Sequence, residues 1–151
     1  MSTIANRSES FIREIRQVEI YPATAQTFQN NMNAALPDPA AKLYAFNVIP
    51  EEFERKIPTK KRSGNYFFDI SLGFPLLEMT KELREELYQK FNRRDYMVVL
   101  VSNTEKTPLG NAREPLTVEL LDGIKDDASG NDQFNISITG ETLIAPKTAN
   151  L

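Results

Sequence analysis

The 151-residue chain contains no histidine, no cysteine and no tryptophan. Without cysteine it has neither a disulfide framework nor a thiol nucleophile. Without histidine it cannot build a Ser-His-Asp or Cys-His centre, and the usual zinc sites are excluded as well. The groups that remain available for chemistry are carboxylates, lysine, tyrosine and serine.

Long apolar runs are also absent. Residues 1–10 contain no hydrophobic stretch of the kind that a signal peptide needs, and no eighteen apolar residues follow one another. We therefore expect a soluble protein that has no membrane partner and stays in the compartment where it is made. The length and the apolar content of 40% fit a single domain with one modest core.

The net charge of −3 conceals an asymmetry between the two halves of the chain. Residues 1–75 carry nine basic and eight acidic side chains, whereas residues 76–151 carry nine basic and thirteen acidic ones. Proteins that neutralise nucleic-acid phosphates usually show a clear positive excess. The composition therefore does not favour general DNA binding.

Hydrophobic patterns predict a chain made mostly of strands. Alternating or short apolar runs bounded by proline and glycine indicate strands at about 14–21, 42–49, 66–72, 96–102, 116–121 and 134–140. The run 96–102 is apolar almost throughout, which predicts a strand buried on both faces. Residues 23–36 fit a short helix and an irregular loop equally well.

One helix is predicted across residues 76–92. Leu83, Leu87 and Phe91 recur at helical spacing, and Thr80 is placed to cap the first turn. With six to eight strands and one helix, we expect an α+β, mostly β fold: a small β-sandwich or a partly open barrel with the helix packed on one face. We expect an N-terminal arm at 1–10, one globular domain at 11–144 and a C-terminal tail at 145–151.

A basic cluster lies within a long charged connection at residues 50–64, which is expected to be a surface excursion with little regular pairing. Its members are Arg55, Lys56, Lys60, Lys61 and Arg62. Such residues on a mobile loop can follow a nucleic-acid backbone, but the cluster lacks the aromatic residues on which single strands stack. Three glutamates also precede it. A solvated loop or a salt-bridging contact with a neighbouring subunit is therefore favoured.

The acidic segment 122–132, which includes Asp126 and Asp127, resembles a calcium loop only in composition. It lacks the alternating ligands and the closing glutamate of an EF-hand, so a hairpin turn is favoured. Asp69 and Asp95 are the only carboxylates with apolar neighbours, and each is more simply a solvent-facing or capping residue. The sequence therefore predicts no catalytic, cofactor or metal site, and the protein is expected not to be an enzyme.

The segment Leu109-Gly110-Asn111-Ala112-Arg113-Glu114-Pro115-Leu116 reads as a connection between two strands. Gly110 and Asn111 predict a tight turn, and Pro115 marks the start of the next strand. Arg113 and Glu114 are expected to pair with each other or across an interface.

Residues 96–140, about a third of the chain, carry a family resemblance. A helix ending in KFNRR leads into the strand MVVLVSN; the turn LGN, the strand opening REPL and an acidic glycine turn follow, before the strand FNISITG. This succession resembles a segment of small virion proteins of tailed phages that infect Bacteroidetes.

The resemblance implies a non-enzymatic neck, connector or tail component, made in the host cytoplasm and found in the virion as a ring or tube. Its partners would be copies of itself, portal, connector or tail proteins, and packaged DNA. The polar ends cannot order themselves and are expected to dock on strand edges of neighbours. The charged residues expected at such contacts are Arg55, Lys56, Lys60, Lys61, Arg62, Arg113, Glu114, Asp126 and Asp127. The alternative is a cytoplasmic module that binds nucleic acid or protein through residues 55–62.

Overall fold

The structure, a computed structural model, describes residues 14–76, 79–123 and 133–150. Ten strands in the described ranges form one antiparallel sheet: β1 (Ile15–Pro22), β2 (Tyr44–Asn47), β3 (Glu54–Lys56), β4 (Thr59–Arg62), β5 (Asn65–Leu76), β6 (Arg93–Ser102), β7 (Glu105–Leu109), β8 (Leu116–Asp122), β9 (Phe134–Thr142) and β10 (Ala149–Asn150). The α-helices of these ranges are α1 (Phe28–Met32) and α2 (Lys81–Lys90).

The sheet runs in the order β2-β1-β6-β8-β9-β5, and β3 and β4 share the outer edge of β5. It curls into a half-barrel, which confirms the expectation of a mostly β fold in the form of a partly open barrel. A single continuous sheet takes the place of the two facing sheets that a sandwich would need. Ten strands also exceed the six to eight expected.

Strand β6 lies at the centre of the sheet. Strand β1 pairs along one of its edges, while β8 and β7 divide the other edge between them. Four consecutive side chains of β6, Met97 to Leu100, are no more than 1% exposed. The prediction of a strand buried on both faces is confirmed.

The main core fills the concave face of the half-barrel. Strands β5 and β9 contribute alternate residues to it, because successive side chains of a strand point to opposite faces. The fully buried members include Ile70, Leu116, Ile136 and Ile138. An aromatic cluster of Tyr44, Phe46, Phe74, Phe91 and Tyr96 lies within it, with neighbouring rings 5.5–6.4 Å apart.

Helix α2 packs against this core through a narrow stripe. The Thr80 hydroxyl accepts a hydrogen bond from the Leu83 amide at 3.1 Å, so the predicted cap is confirmed. Leu87 is fully buried, and Phe91 caps the C-terminal end at 2% exposure. On the exposed side, the Tyr44 hydroxyl of β2 donates to Glu86 at 2.9 Å. The helix is thus attached to both the core and strand β2.

Residues 23–43 cover the convex side of β1 and β6. Within this segment α1 forms a five-residue helix capped by Thr27, so the short helix rather than the irregular loop is present. Tyr21, Met97 and Val99 form a second, smaller hydrophobic cluster there, which the expectation of one core missed. Glu19 is buried beside them, where it pairs with Lys42 and accepts from Tyr21. Burial and the Glu19 carboxylate raise the pKa of Tyr21.

The expectation of a loop with little regular pairing across residues 50–64 is wrong. Strands β3 and β4 both pair antiparallel with β5, and Pro58 marks the break between them. Strand β7 was also missed, since it contains Pro108. Proline is tolerated there because β7 is flanked on its outer side by β10 only at Glu105 and Lys106.

The two ends of the chain differ in what the structure shows. Within the predicted C-terminal tail, Ala149 and Asn150 pair with β7, and the Lys147 ammonium donates to the Met32 carbonyl at 2.6 Å. The predicted N-terminal arm at 1–10 lies outside the described residues.

Truncation of the buried helix stripe tests the attachment of α2. Leu87→Ala should lower the free energy of unfolding by about 2–5 kcal/mol, because it removes a fully buried leucine side chain. Tyr88→Ala is the matched control, since that side chain is 42% exposed in the same helix. Chemical denaturation of both variants measures the difference. Equal stability losses would contradict a buried stripe centred on Leu87.

A pH titration tests the link between α2 and β2. Hydrogen bonds from Lys90 and Tyr44 hold the pKa of Glu86 below its usual value of 4.5. The stabilisation that this carboxylate contributes is therefore complete above pH 4.5 and is lost as the pH falls through the lowered pKa. The difference in thermal midpoint between the wild type and Glu86→Gln should narrow below that pH. A difference that stays constant from pH 7 to strong acid would show that Glu86 forms no such link.

Candidate functional site

The convex side of β4, β5 and β9 is a charged surface, here named the outer face. Because Ile70 and Leu72 of β5 point into the core, Phe67 and Asp69 point outward. The strand register places Lys60 opposite Phe67 and Glu141 opposite Asp69. Basic side chains of β4 therefore share this face with carboxylates of β5 and β9.

The predicted basic cluster is divided between β3 and β4, and its charges on β4 are partly neutralised. Lys60 forms an ion pair with Asp69 at 2.6 Å, and Arg62 forms one with Glu141 at 3.3 Å. The guanidinium of Arg62 also lies 4.8 Å from the ring centroid of Phe67. These contacts fix Lys60 and Arg62 on the sheet, unlike the side chains of a mobile phosphate-binding loop.

The residues Arg55 and Lys56 of β3 border a separate hollow of about 640 Å³. Ser71, Gly73 and Ser137 line it from β5 and β9. Glu52 and Glu54 also line it, so its charges are mixed.

A second depression, here named the arginine cleft, contains three arginines from distant parts of the chain: Arg62, Arg94 and Arg113. Its volume is about 420 Å³. The other lining residues are Ser63, Asn65, Phe67, Glu114, Glu141, Thr142 and Leu143. The structure thus brings together three residues that the sequence proposed for an interface, namely Arg62, Arg113 and Glu114.

Arg94 reaches the arginine cleft from an irregular part of β6. The register between β6 and β8 shifts between Arg94 and Tyr96, which is a bulge of the kind that re-aims a side chain. The Nε atom of Arg94 donates to the Pro115 carbonyl at 3.2 Å. This bond uses the Nε atom alone, and the side chain is exposed where it lines the cleft.

Arg113 is held by a rigid turn. Asn111 is fully buried, and its Oδ1 accepts from the amides of Arg113 and Glu114, both at 3.0 Å. Gly110 precedes it with φ of 87°, and an added Cβ would lie 2.9 Å from Leu116 Cγ. The predicted tight turn is therefore present and fixes where Arg113 emerges, with its guanidinium 5.2 Å from the ring centroid of Phe28.

Glu114 joins the start of β8 to the end of β9. Its carboxylate accepts from the Thr142 hydroxyl at 2.9 Å and from the Leu143 amide at 2.8 Å. It is used for this intramolecular clamp rather than for an ion pair with Arg113, contrary to one of the two expected pairings. Across residues 14–76, 79–123 and 133–150, neither Arg94 nor Arg113 has a carboxylate at ion-pairing distance.

Sequence reasoning missed six residues that line the arginine cleft: Ser63, Asn65, Phe67, Arg94, Glu141 and Thr142. Glu141 and Arg94 carry a readable signal, since each is a charged residue at the end of an apolar strand. Their proximity depends on the sheet register, which the sequence pattern alone does not supply. The predicted contact residues Asp126 and Asp127 lie outside the described residues.

No group of three or more potential metal ligands is found within the described ranges. In the same ranges, no helix is long and apolar enough to cross a membrane. Comparison of the chain with family models, curated proteins and solved structures returns no match.

Removal of the Glu114 clamp should loosen the end of β9. Glu114→Ala leaves the Leu143 amide without its charged acceptor, so the free energy of unfolding should fall by about 1–3 kcal/mol. Hydrogen exchange at Leu143 and Ile144 should become faster. Glu141→Ala is the control, because its exposed pair with Arg62 is worth about 0–1 kcal/mol. Unchanged exchange at Leu143 in Glu114→Ala would contradict the clamp.

Proposed function

We propose that this chain is a non-enzymatic structural subunit of a phage virion. In this proposal, copies of the chain assemble into a ring or tube at the head–tail connector or in the tail. The protein is made in the host cytoplasm and joins the particle beside portal, connector or tail proteins. The family resemblance of residues 96–140 supports this assignment.

The observation that carries the proposal is the pair of open strand edges left by the half-barrel. Among the described strands, β2 pairs only with β1, and β4 pairs only with β5. An open edge presents main-chain groups that accept a further strand, whatever its side chains. Because β2 and β4 lie at opposite ends of the sheet, each copy offers docking sites for two neighbours.

The occupant that we propose for one such edge is the segment 1–10 of a neighbouring copy. Its sequence is polar apart from Met1, Ile4 and Ala5, so it has little apolar surface of its own to bury. Main-chain pairing with an edge strand needs no particular side chains, and Ile4 is the one branched apolar residue of the segment. At the edge formed by β4, the charged side chains of that strand limit non-specific pairing, as charges on edge strands do in other sheets.

The alternative function, nucleic-acid binding through residues 55–62, has less support from the geometry. Lys60 and Arg62 are already engaged by Asp69 and Glu141. Phosphate binding by these two side chains would have to compete with those carboxylates. Lys56 and Lys61 are also exposed and would add to the positive charge.

Deletion of residues 1–10 tests the assembly proposal. The full chain should form closed rings in electron micrographs and sediment as an oligomer. The deleted protein should keep its circular dichroism spectrum but sediment as a monomer, since the docking strand is gone. Ile4→Asp should weaken assembly, whereas Ser8→Asp, which makes the same charge change in the same segment, should not.

Two outcomes would contradict this function. A full chain that stays monomeric at high concentration would argue against ring assembly. Salt-dependent retention of that monomer on duplex DNA would favour the alternative, because phosphate contacts weaken steeply with added salt.

A further inference from the structure

We infer that the arginine cleft binds the acidic segment 122–132 of a second copy of this chain, so that copies join head to tail. This inference rests on the proposed function and names one contact between its subunits. It starts from the guanidinium groups of Arg94 and Arg113, which form no ion pair with any residue that the structure describes.

The arginine cleft offers two cations that have no carboxylate partner among residues 14–76, 79–123 and 133–150. Within the described residues, Arg94 bonds only the Pro115 carbonyl, and Arg113 lies over the ring of Phe28. A guanidinium group presents parallel donors that match the two oxygens of a carboxylate. Aspartate and glutamate side chains are therefore suitable ligands for this cleft.

The other lining residues favour a protein segment over a nucleic acid. Glu114 and Glu141 place two carboxylates beside the arginines, and these would repel a continuous row of phosphates. Leu143 is 59% exposed and lines the same cleft as the buried ring of Phe67. A peptide that carries a few carboxylates and an apolar side chain, rather than a continuous row of phosphates, fits both features.

Segment 122–132 of this chain has that composition. Its sequence, DGIKDDASGND, contains four aspartates, a single lysine and one isoleucine. Asp126 and Asp127 are adjacent, so they offer two carboxylates to two arginines. Ile124 supplies an apolar side chain that can pack against the exposed Leu143.

The segment of the same chain is too far from the cleft to fill it. Pro115, to which Arg94 is bonded, lies eight residues before Gly123 along β8, and Glu141 lies eight residues after Gln133 along β9. At the usual strand rise this separation is about 25 Å. Nine residues lie between Gly123 and Gln133, which are themselves joined by a 2.8 Å hydrogen bond. A chain of nine residues that leaves and returns to one place reaches about 18 Å at most.

The contact must therefore form between copies, and it joins one end of the β8–β9 ladder to the opposite end of the next. Such a contact uses two different surfaces and repeats from copy to copy. Depending on the rotation between neighbours, it closes into a ring or continues as a filament.

Complementary variants test this arrangement in the full chain. The cleft variant is Arg94→Glu with Arg113→Glu, and the loop variant is Asp126→Lys with Asp127→Lys. Each should fail to assemble alone in sedimentation velocity, although each keeps one functional surface. An equimolar mixture should assemble again, because the arginine cleft of the loop variant meets the acidic loop of the cleft variant, and the glutamate cleft meets the lysine loop. A chain that carries all four substitutions should assemble again.

The matched control carries Lys81→Glu and Lys106→Glu, which make the same charge change away from the cleft and should leave assembly intact. Circular dichroism confirms that each variant is folded. Assembly of the cleft variant at the wild-type concentration would overturn the inference, while ring formation itself would then rest on other contacts.

A peptide of residues 120–134 gives a second readout that does not depend on rings. Fluorescence anisotropy should show at least about tenfold weaker binding to the cleft variant than to the wild-type chain. A scrambled peptide of equal composition should bind more weakly than the native one. Equal binding of both peptides, or displacement of the native peptide by duplex DNA at lower concentration, would overturn the inference. Peptide binding by a wild-type chain that stays monomeric would support the contact while contradicting the ring.

Discussion

The fold depends on the burial of strand β6 along both faces and both edges. Four consecutive apolar residues, Met97 to Leu100, need partners above and below the sheet, since each is almost completely inaccessible. The concave core covers one face, and residues 23–43 must cover the other. Strands β7 and β8 both pair with the same edge, so the sheet divides there and bulges next to Arg94. One hydrophobic strand thus determines the curl of the barrel and the position of an exposed cation.

The sequence predicted the elements that bury side chains and missed those that consist mainly of backbone pairing. The strands now numbered β1, β5, β6, β8 and β9 each carry a run of buried apolar residues, and Thr80 carries a recognisable cap. Every residue of β3 and β4 is exposed, so their charged sequences show no strand pattern. They exist because β5 is twelve residues long and offers an edge to pair with. Hydrophobic periodicity cannot detect strands that form for this reason.

The same distinction applies to the candidate site. Arg113 and Glu114 could be identified from the sequence, because a glycine and asparagine turn precedes them and a proline follows. Their meeting with Arg62 and Arg94 results from register: the bulge in β6, the pairing of β4 with β5, and the clamp from Glu114 to the end of β9. Each of these features depends on contacts between segments that lie far apart in the sequence. A charge pattern therefore predicts which residues are exposed but not which of them share a surface.

In the proposed assembly, electrostatic and main-chain contacts would have different tasks. Exposed ion pairs contribute only about 0–1 kcal/mol each, so carboxylates in the arginine cleft supply only part of the affinity between two copies. Charge complementarity instead selects the orientation of approach, in which the acidic end of one copy meets the cationic end of the next. Pairing of an edge strand would then supply backbone hydrogen bonds that are insensitive to side-chain charge. Once a ring closes, every copy is held from two sides, and a broken contact reforms at a high effective concentration. Weak individual contacts are therefore compatible with a stable closed ring, whereas an open chain of the same subunits would lose its terminal copies continually.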